Sequence, residues 1–235
     1  MVGQKIDGIE VSDAVKKILK SAVEKLNSEG VTPCLATVLV GDDPASATYV
    51  KNKHIACEKI GIKTKDHKLS SDTTQKELDK VIDSLNNDKE VHGILVQLPL
   101  PNQLNEFTTI SRIFPIKDVD GLTPQNVGLL SMGKSILKPC TPSGIMEMFY
   151  YYKINLEGKN VVMINRSNLI GKPLYHLLLQ NNATVITCHS KTKNLTKYCK
   201  EADIIITAVG NRNKFKLSSE MIKPDSIIID VAISR

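Results

Sequence analysis

The spacing of hydrophobic positions changes from one segment of the chain to the next. In residues 11–26 apolar side chains recur three and four positions apart, which predicts a helix with one buried face, and Gly30 follows as a stop. Residues 35–40 are apolar and rich in β-branched side chains, which predicts a buried strand. A turn that begins at Gly41 leads into a second predicted helix at about 45–60.

The alternation of strands and helices continues to the end of the chain. A strand at 62–68, a helix at 73–85 and a strand at 91–98 precede a proline-rich, loop-like stretch at 114–142. A helix is expected to start at about Pro142, because proline is tolerated in a first turn. Beyond it the pattern predicts a helix at 171–180 and strands at 160–164, 183–188, 202–209 and 226–232.

This alternation indicates an α/β protein with mainly parallel sheets, and the change of pattern near Lys138 predicts two domains, 1–138 and 139–235. The chain has 235 residues, 41% hydrophobic and 24% charged, which is ordinary globular composition. No apolar stretch approaches the roughly 20 residues that span a bilayer, and the N-terminus lacks the apolar core of a signal peptide. We therefore expect no membrane partner.

The net charge and the cysteine pattern exclude further classes of partner and site. The net charge of +6 comes from lysines spread along the chain, and aromatic residues make up 4%, which disfavours a nucleic-acid partner and leaves small anionic ligands open. The five cysteines are odd in number, and none forms a C-x-x-C pair. This pattern favours a reducing compartment over a disulfide framework or a zinc site, so no metal is expected.

A strand–turn–helix segment in the second half has the layout of a phosphate-binding site. The strand predicted at 160–164 runs into Asn165-Arg-Ser-Asn-Leu-Ile-Gly171, where a helix begins. The N–H groups and the dipole at a helix N-terminus attract anions. Asn165 stands where a G-x-G-x-x-G motif has its first glycine, so the pattern by itself leaves a dinucleotide site and a plain strand–helix turn both open.

The end of the next predicted strand indicates which dinucleotide would fit such a site. It reads Cys188-His-Ser-Lys-Thr192, where a Rossmann domain meets the adenosine ribose. An acidic residue there would suit the 2′-hydroxyl of NAD, whereas Ser190 and Lys191, with Arg166 across the turn, suit the 2′-phosphate of NADP. The alternative is a solvated polar turn.

Three features of the first half could carry chemistry, and each has a plain structural alternative. Tyr49 and Lys53 lie four positions apart, so they share one helix face, as many surface pairs do. Gln97 interrupts an apolar strand end and is either a satisfied core amide or a binding group. Asp118 and Asp120 belong to an acidic loop that is by itself an ordinary turn and weak evidence for a metal.

Taken together, these segments resemble the bifunctional methylenetetrahydrofolate dehydrogenase/cyclohydrolase (FolD-type) family. They occur in the family's order and cover nearly the whole chain. The matching stretches are Tyr49-Val-Lys-Asn-Lys53, Gly93-Ile-Leu-Val-Gln-Leu-Pro-Leu-Pro101, Lys117-Asp-Val-Asp-Gly121, Lys138-Pro-Cys-Thr-Pro-Ser-Gly144 and Arg166-Ser-Asn-Leu-Ile-Gly-Lys-Pro173. The resemblance implies an N-terminal α/β folate-binding domain and a C-terminal Rossmann-type domain that binds NADP.

The resemblance also implies the activity. The enzyme would oxidise 5,10-methylenetetrahydrofolate with NADP⁺ to the 5,10-methenyl cation and then hydrolyse that cation to 10-formyltetrahydrofolate. Its partners would be tetrahydrofolate derivatives, and it would act in the cytoplasm as a homodimer formed through the cofactor domain.

The family's site residues can be carried over position by position. Lys53 matches the lysine that manages proton transfer in the hydrolysis, and Gln97 would orient it by hydrogen bonding. Tyr49 would pack against the folate, and Asp120 would accept two parallel N–H bonds from the pterin. The other implied positions are Val96 and Leu98 for the substrate, and Asn165, Arg166, Ser167, Ser190 and Ile233 for NADP.

The chain departs from the family pattern in places. Asn165 replaces the usual glycine, and residues 230–235 read Asp-Val-Ala-Ile-Ser-Arg instead of D-V-G-I-N. The family's closing loop and final helix lie beyond Arg235, so we expect a polypeptide ending there to bind folate poorly. Two other hypotheses remain: an NADP-linked shikimate or amino-acid dehydrogenase relative, which should lack the Tyr49, Lys53, Gln97 and Asp120 set, and a non-catalytic binding or assembly protein.

Overall fold

A computed structural model describes residues 3–211, 213 and 215–231 of the chain. The chain divides into two compact units, Met1–Asn126 and Val127–Arg235. Each unit contains one sheet, and every strand pair in the described ranges is parallel. The predicted α/β class with parallel sheets is therefore confirmed. No helix within the described residues is both long and apolar enough to cross a membrane.

The first unit is built on a three-stranded sheet in the order β2-β1-β3. Its elements are α1 (Gly8–Ser28), β1 (Cys34–Val40), α2 (Pro44–Ile60), β2 (Lys63–Leu69), α3 (Gln75–Asn87), β3 (Gly93–Val96) and α4 (Glu106–Arg112), and α5 (Pro124–Ser131) crosses the unit boundary. Since β1 lies between two partners, Val38 pairs with His67 on one side and with Val96 on the other. β1 thus sets the register of the whole sheet.

Local sequence signals explain where the helices of this unit begin and end. The side chain of Asp43 accepts a hydrogen bond from the Ser46 N–H, and Pro44 occupies the first turn of α2, where its missing N–H costs nothing. Gly61 ends α2 with φ of +84°, a conformation that glycine adopts without strain. α3 begins with a capping box between Thr74 and Glu77.

The core of the first unit lies between the sheet and α3. Leu78, Ile82 and Leu85 of α3 pack with inward residues of β1 and β3, among them Ala36, Val38, Ile94 and Val96. Burial of such side chains contributes roughly 1.5–3 kcal/mol each. β1 is buried on both faces, and its residues are apolar apart from Thr37, which is buried as well.

The second unit holds a four-stranded sheet in the order β5-β4-β6-β7. Its elements are α6 (Cys140–Tyr151), β4 (Asn160–Ile164), α7 (Gly171–Gln180), β5 (Thr184–Cys188), α8 (Leu195–Glu201), β6 (Ile204–Thr207), a 3₁₀ turn (Ser219–Met221) and β7 (Ile227–Asp230). The chain leaves β4 for β5 on one side and later returns to β6 on the other, so the strand order reverses beside β4. Ligands of Rossmann-type sheets bind at such a reversal, outside the carboxyl ends of the strands.

The structure differs from the sequence-based expectation mainly in its short elements. The stretch 114–142, expected to be a loop, contains α5, and neither α4 nor α8 was predicted. These helices span seven or eight residues, which is too few turns to show a clear 3.6-residue period. The predicted strand at 91–98 is shorter than expected, because β3 ends at Val96 and Gln97 lies just past it.

An acid-sensitive ion pair lies at the amino ends of β4 and β6 in the second unit. The carboxylate of Asp203, just before β6, accepts hydrogen bonds from Lys223 Nζ at 2.7 Å and from the N–H of Asn160, the first residue of β4, at 2.8 Å. The bond from Lys223 is the largest cause that lowers the pKa of Asp203 below its ordinary value. Such a group stabilises the fold above its unfolded pKa, and the contribution disappears as the pH falls through the folded pKa.

We therefore predict that Asp203→Asn flattens the acid limb of the stability curve. The free energy of unfolding, measured by urea titration from pH 7 to pH 2, should fall less steeply below about pH 4 in the variant than in the native chain. Glu220→Gln, a neutralising change at an exposed position of the same unit, serves as the control. Parallel curves for Asp203→Asn and the native chain would contradict the assignment.

Candidate functional site

Two of the predicted site residues share α2, which starts immediately after β1 at the carboxyl edge of the sheet. Tyr49 and Lys53 are one helical turn apart, and Tyr49 is exposed whereas Lys53 is half-buried. Their shared helix face is thus confirmed. The Lys53 side chain is thus partly accessible to solvent.

A polar cluster that sequence reasoning missed attaches α2 to the sheet. The Thr37 hydroxyl of β1 donates to Asp66 Oδ1 of β2 at 2.8 Å, and His54 Nε2 of α2 lies 2.7 Å from the same oxygen. His54 Nε2 is also 3.1 Å from Thr37 Oγ1. The one feature of the sequence that indicated this cluster was Thr37. Its hydroxyl lies in an otherwise apolar buried strand and therefore requires a hydrogen-bond partner.

The carboxyl end of β3 presents an unsatisfied buried acceptor. The Gln97 N–H donates to Val38 O of β1 at 2.9 Å, and its Nε2 donates to Leu98 O at 2.8 Å. Its Oε1 is buried and has no hydrogen-bond partner among the described residues. Such an orphan costs about 1–3 kcal/mol, so Gln97 is not a satisfied core amide and its Oε1 can still accept a hydrogen bond. Val96 is buried and Leu98 half-buried beside it.

The acidic loop pairs with β3 at Ile94. Ile94 N–H donates to Lys117 O at 2.7 Å, and Ile94 pairs with Asp118 in parallel. The Gly121 N–H donates to Asp118 O at 3.1 Å, so the chain turns directly after this bridge and Asp120 lies within the turn. The loop that contains Asp120 is thus anchored to β3, the strand that precedes Gln97.

The two carboxylates of this loop have different surroundings. Asp118 is buried, and its Oδ2 accepts hydrogen bonds from the Thr123 N–H and from Asn126 Nδ2, each at 2.8 Å. It therefore stabilises the loop. Asp120 is only half-buried, and Gly121 follows with φ of +62° and turns the chain away. Asp120 is accordingly the more accessible of the two carboxylates.

The cofactor positions lie at the carboxyl edge of the second sheet. Asn165, Arg166 and Ser167 follow β4, and Ser190 and Lys191 follow its neighbour β5. Arg166, Ser190 and Lys191 are exposed, and the segment Cys188-His-Ser-Lys-Thr192 holds no acid. Ile233 lies outside the described residues.

Close backbone approach explains why Gly171 opens α7. A Cβ at this position would overlap the backbone of Asn165 and Arg166, so the helix packs against the strand end only without a side chain here. This contact, with the arginine, serine and lysine donors around it, fits a dinucleotide that carries a 2′-phosphate.

Asn165 changes how the turn before α7 can bind a phosphate. Its Oδ1 accepts from the N–H groups of Ser167 at 2.7 Å and Gly171 at 3.1 Å, and its Nδ2 donates to Ala208 O beyond β6 at 2.9 Å. The Lys172 N–H is bonded to Ser167 O, and Pro173 has none. The sequence predicted that the N–H groups at this helix start are open to an anion, but in the structure those of Ser167, Gly171 and Lys172 are bonded within the chain. These three N–H groups are therefore not open to a phosphate.

Four of the five cysteines are poor nucleophiles. Burial raises the pKa of the thiols of Cys34, Cys57 and Cys188, and it raises the pKa of Cys199 to about 11. These four thiols stay protonated at neutral pH. None of the five cysteines forms a disulfide.

Comparison with known proteins also separates two domains along the chain. The family model for the catalytic domain of tetrahydrofolate dehydrogenase/cyclohydrolase matches residues 6–120, and the model for the NAD(P)-binding domain of the same family matches residues 139–235. A similar protein is the bifunctional protein FolD of Nitrosopumilus maritimus, 69% identical over 235 residues, which is 100% of this chain and 82% of that relative.

Solved structures are similar as well. The bifunctional FolD enzyme of Campylobacter jejuni matches with a TM-score of 0.94 and 47% identity, over 96% of this chain and 80% of that one. The FolD enzyme of Trypanosoma brucei, crystallised with NADP and an inhibitor, matches with a TM-score of 0.91 and 33% identity, over 96% and 77%.

The packing of Gly93 against Val119 gives a test of how the acidic loop is placed. A Cβ at Gly93 would overlap Cγ1 of Val119, the residue before Asp120. We predict that Gly93→Ala displaces this loop, lowers the melting temperature by several degrees, as about 1–3 kcal/mol of overpacking would, and weakens binding of the ligand that Asp120 holds.

The double variant Gly93→Ala/Val119→Ala provides the control, because it removes the methyl groups that the new Cβ meets. Thermal melting and ligand titration should both return most of the way to native values. If Gly93→Ala alone melted and bound like the native chain, the close contact would not position Asp120.

Proposed function

The chain belongs to the tetrahydrofolate dehydrogenase/cyclohydrolase family, and on that basis we propose that it catalyses two successive reactions on a one-carbon folate. A hydride leaves the methylene bridge of 5,10-methylenetetrahydrofolate for NADP⁺, which yields the 5,10-methenyl cation and NADPH. Water then adds to the cation and the ring opens, which yields 10-formyltetrahydrofolate and a proton. The observation that carries the proposal is the buried, unpaired Oε1 of Gln97 at the carboxyl end of β3, the strand with which the Asp120 loop pairs.

For the first reaction the protein mainly holds and orients its ligands. NADP⁺, when bound, supplies the hydride acceptor. Arg166 and Ser190 bind its 2′-phosphate as charged and neutral donors, and Ser167 contributes from the turn. In the first unit Asp120 accepts paired N–H bonds from the pterin, which fixes the orientation of the ring system. Orientation of this kind removes a large part of a bimolecular barrier.

The second reaction needs managed proton transfer, which we assign to Lys53. Its ammonium group is the donor that the buried Gln97 Oε1 lacks, so a bond between the two would satisfy the amide and fix the lysine. Lys53 can then exchange a proton with the attacking water. Tyr49, one turn earlier on α2, packs against the folate, and the half-buried Leu98 contributes apolar surface beside Gln97, whereas Val96 supports the site from the core that it forms with α3.

Three further assignments complete the proposal. Residues 1–138 form the folate module and residues 139–235 the NADP module, as the family resemblance implies. The enzyme acts in the cytoplasm, which agrees with its five free thiols, and it does not bind nucleic acid. It forms a homodimer, which size-exclusion chromatography with light scattering would test.

The direct test of the activity is spectrophotometric. Methenyl formation should be observed when the protein is mixed with 5,10-methylenetetrahydrofolate and NADP⁺, and it should be slower with NAD⁺ at the same concentration. Absence of methenyl formation with either cofactor would refute the dehydrogenase function. Failure to hydrolyse added methenyltetrahydrofolate faster than buffer would refute the cyclohydrolase function.

We predict that Lys53→Met removes the hydrolytic activity and leaves folate binding measurable, because only the hydrolysis requires a proton carrier at this position. The measurement is the decay of methenyl absorbance, together with a ligand titration. Lys51→Met is the matched control, since Lys51 is an exposed lysine on the same helix. Full hydrolytic activity in Lys53→Met would remove Lys53 from the mechanism.

A second prediction concerns cofactor choice. A charge-assisted hydrogen bond to a phosphate contributes about 1.5–3 kcal/mol, so Arg166→Ala should raise the KM for NADP⁺ about tenfold or more and change the KM for NAD⁺ little. Lys159→Ala, an equal loss of charge at the amino end of β4, is the control. Equal increases for both cofactors would show that Arg166 does not read the 2′-phosphate.

A further inference from the structure

The helix that carries Lys53 has little apolar surface with which to hold its place. The buried residues of α2 are Ser46, Val50 and Ile60. Val50 and Ile60 are separated by ten positions, almost three turns, and Lys53 lies between them. Few hydrophobic contacts therefore fix the rotation of the helix where the lysine projects.

His54 occupies the position where the next apolar contact would be expected. It follows Val50 by four residues, so it lies on the same face, and its side chain is only 16% exposed. Because a carboxylate only accepts hydrogen bonds, Nε2–H of His54 donates to Asp66 Oδ1. The Thr37 hydroxyl, itself 1% exposed, donates to the same oxygen. One polar cluster thus joins α2 to both β1 and β2.

The same strand also holds Gln97. Thr37 takes part in the cluster, and the next residue, Val38, accepts the Gln97 N–H through its carbonyl at 2.9 Å. The bonds that fix the Lys53 segment and the bond that fixes the Gln97 backbone therefore meet at consecutive residues of β1. Movement of His54 away from Thr37 would change the position of Lys53 and leave Gln97 where it is.

We propose that His54 is a positioning residue for the hydrolysis: through Thr37 and Asp66 it sets the rotation of α2, and so the placement of Lys53 relative to Gln97. This inference rests on the role proposed for Lys53. His54 does not touch the reacting atoms. A hydrogen-bonded cluster suits this task because its geometry is directional, whereas an apolar contact at the same position would tolerate small rotations.

The test compares His54→Leu with His54→Gln in the full chain. Leucine fills the site and donates no hydrogen bond, whereas the Gln Nε2 can replace the donor to Asp66. For each variant we would measure kcat and KM for hydrolysis of methenyltetrahydrofolate, kcat for methenyl formation with NADP⁺, and the melting temperature. Lys53→Met is measured alongside as the reference for loss of the lysine itself.

We expect His54→Leu to lower kcat for hydrolysis roughly tenfold or more, since misplacement of a reacting group by about 1 Å has effects of that size. The KM should change by no more than about twofold, because the substitution leaves substrate binding unaffected. The kcat of the dehydrogenase reaction should also change by no more than about twofold, because the hydride step needs no lysine. His54→Gln should recover most of the lost kcat.

Two results would overturn the inference: equal losses of both activities in step with the melting temperature, or a His54→Gln variant no better than His54→Leu at equal stability. Both would assign the cluster to stability alone. Failure of the proposed function has a different signature, since Lys53→Met would then hydrolyse methenyltetrahydrofolate at the native rate. If His54→Leu does not fold, Thr37→Val removes one bond of the same cluster and must show the same split between kcat and KM.

Discussion

The parallel pairing of β1 with its neighbours is the constraint on which the first unit depends. β1 is the central strand, so its hydrogen bonds decide where β2 and β3 end, and the loop that pairs with Ile94 follows the register of β3. Gln97 and the loop that contains Asp120 are therefore placed by the register of β1 and β3, and not by closeness in the sequence. A slip of one residue in this register would turn Val38 and Val96 away from α3 and expose the core.

Much of the fold follows from local patterns in the sequence. The helices α1, α2 and α3 were predicted because they are long and show a helical period or clear capping signals, and the buried strands because they are apolar throughout. α4, α5 and α8 were not predicted, because a helix of two turns is stabilised by its tertiary contacts more than by a periodic sequence.

The candidate site was predictable where residue type and order carry the information, and not where distant side chains meet. Tyr49, Lys53, Gln97 and Asp120 stand in stretches that resemble a known family. The sequence did not predict the contact between His54 and Asp66, because these two residues lie twelve positions apart, one in a helix and one in a strand. Only the threonine inside β1 indicated that a polar partner was required, and it could not identify that partner.

Asn165 and Gln97 show two opposite uses of a side-chain amide. Asn165 satisfies its oxygen and nitrogen within its own unit, so the turn before α7 is formed by the chain alone and its N–H groups are already bonded. Gln97 also spends its nitrogen on a local carbonyl, but its buried oxygen has no described partner. Because an unpaired buried acceptor is unfavourable, Gln97 keeps an unused capacity to accept a hydrogen bond, which agrees with the contact proposed for it. Asn165 instead commits its side chain to the turn before α7, and so shapes the carboxyl edge of β4.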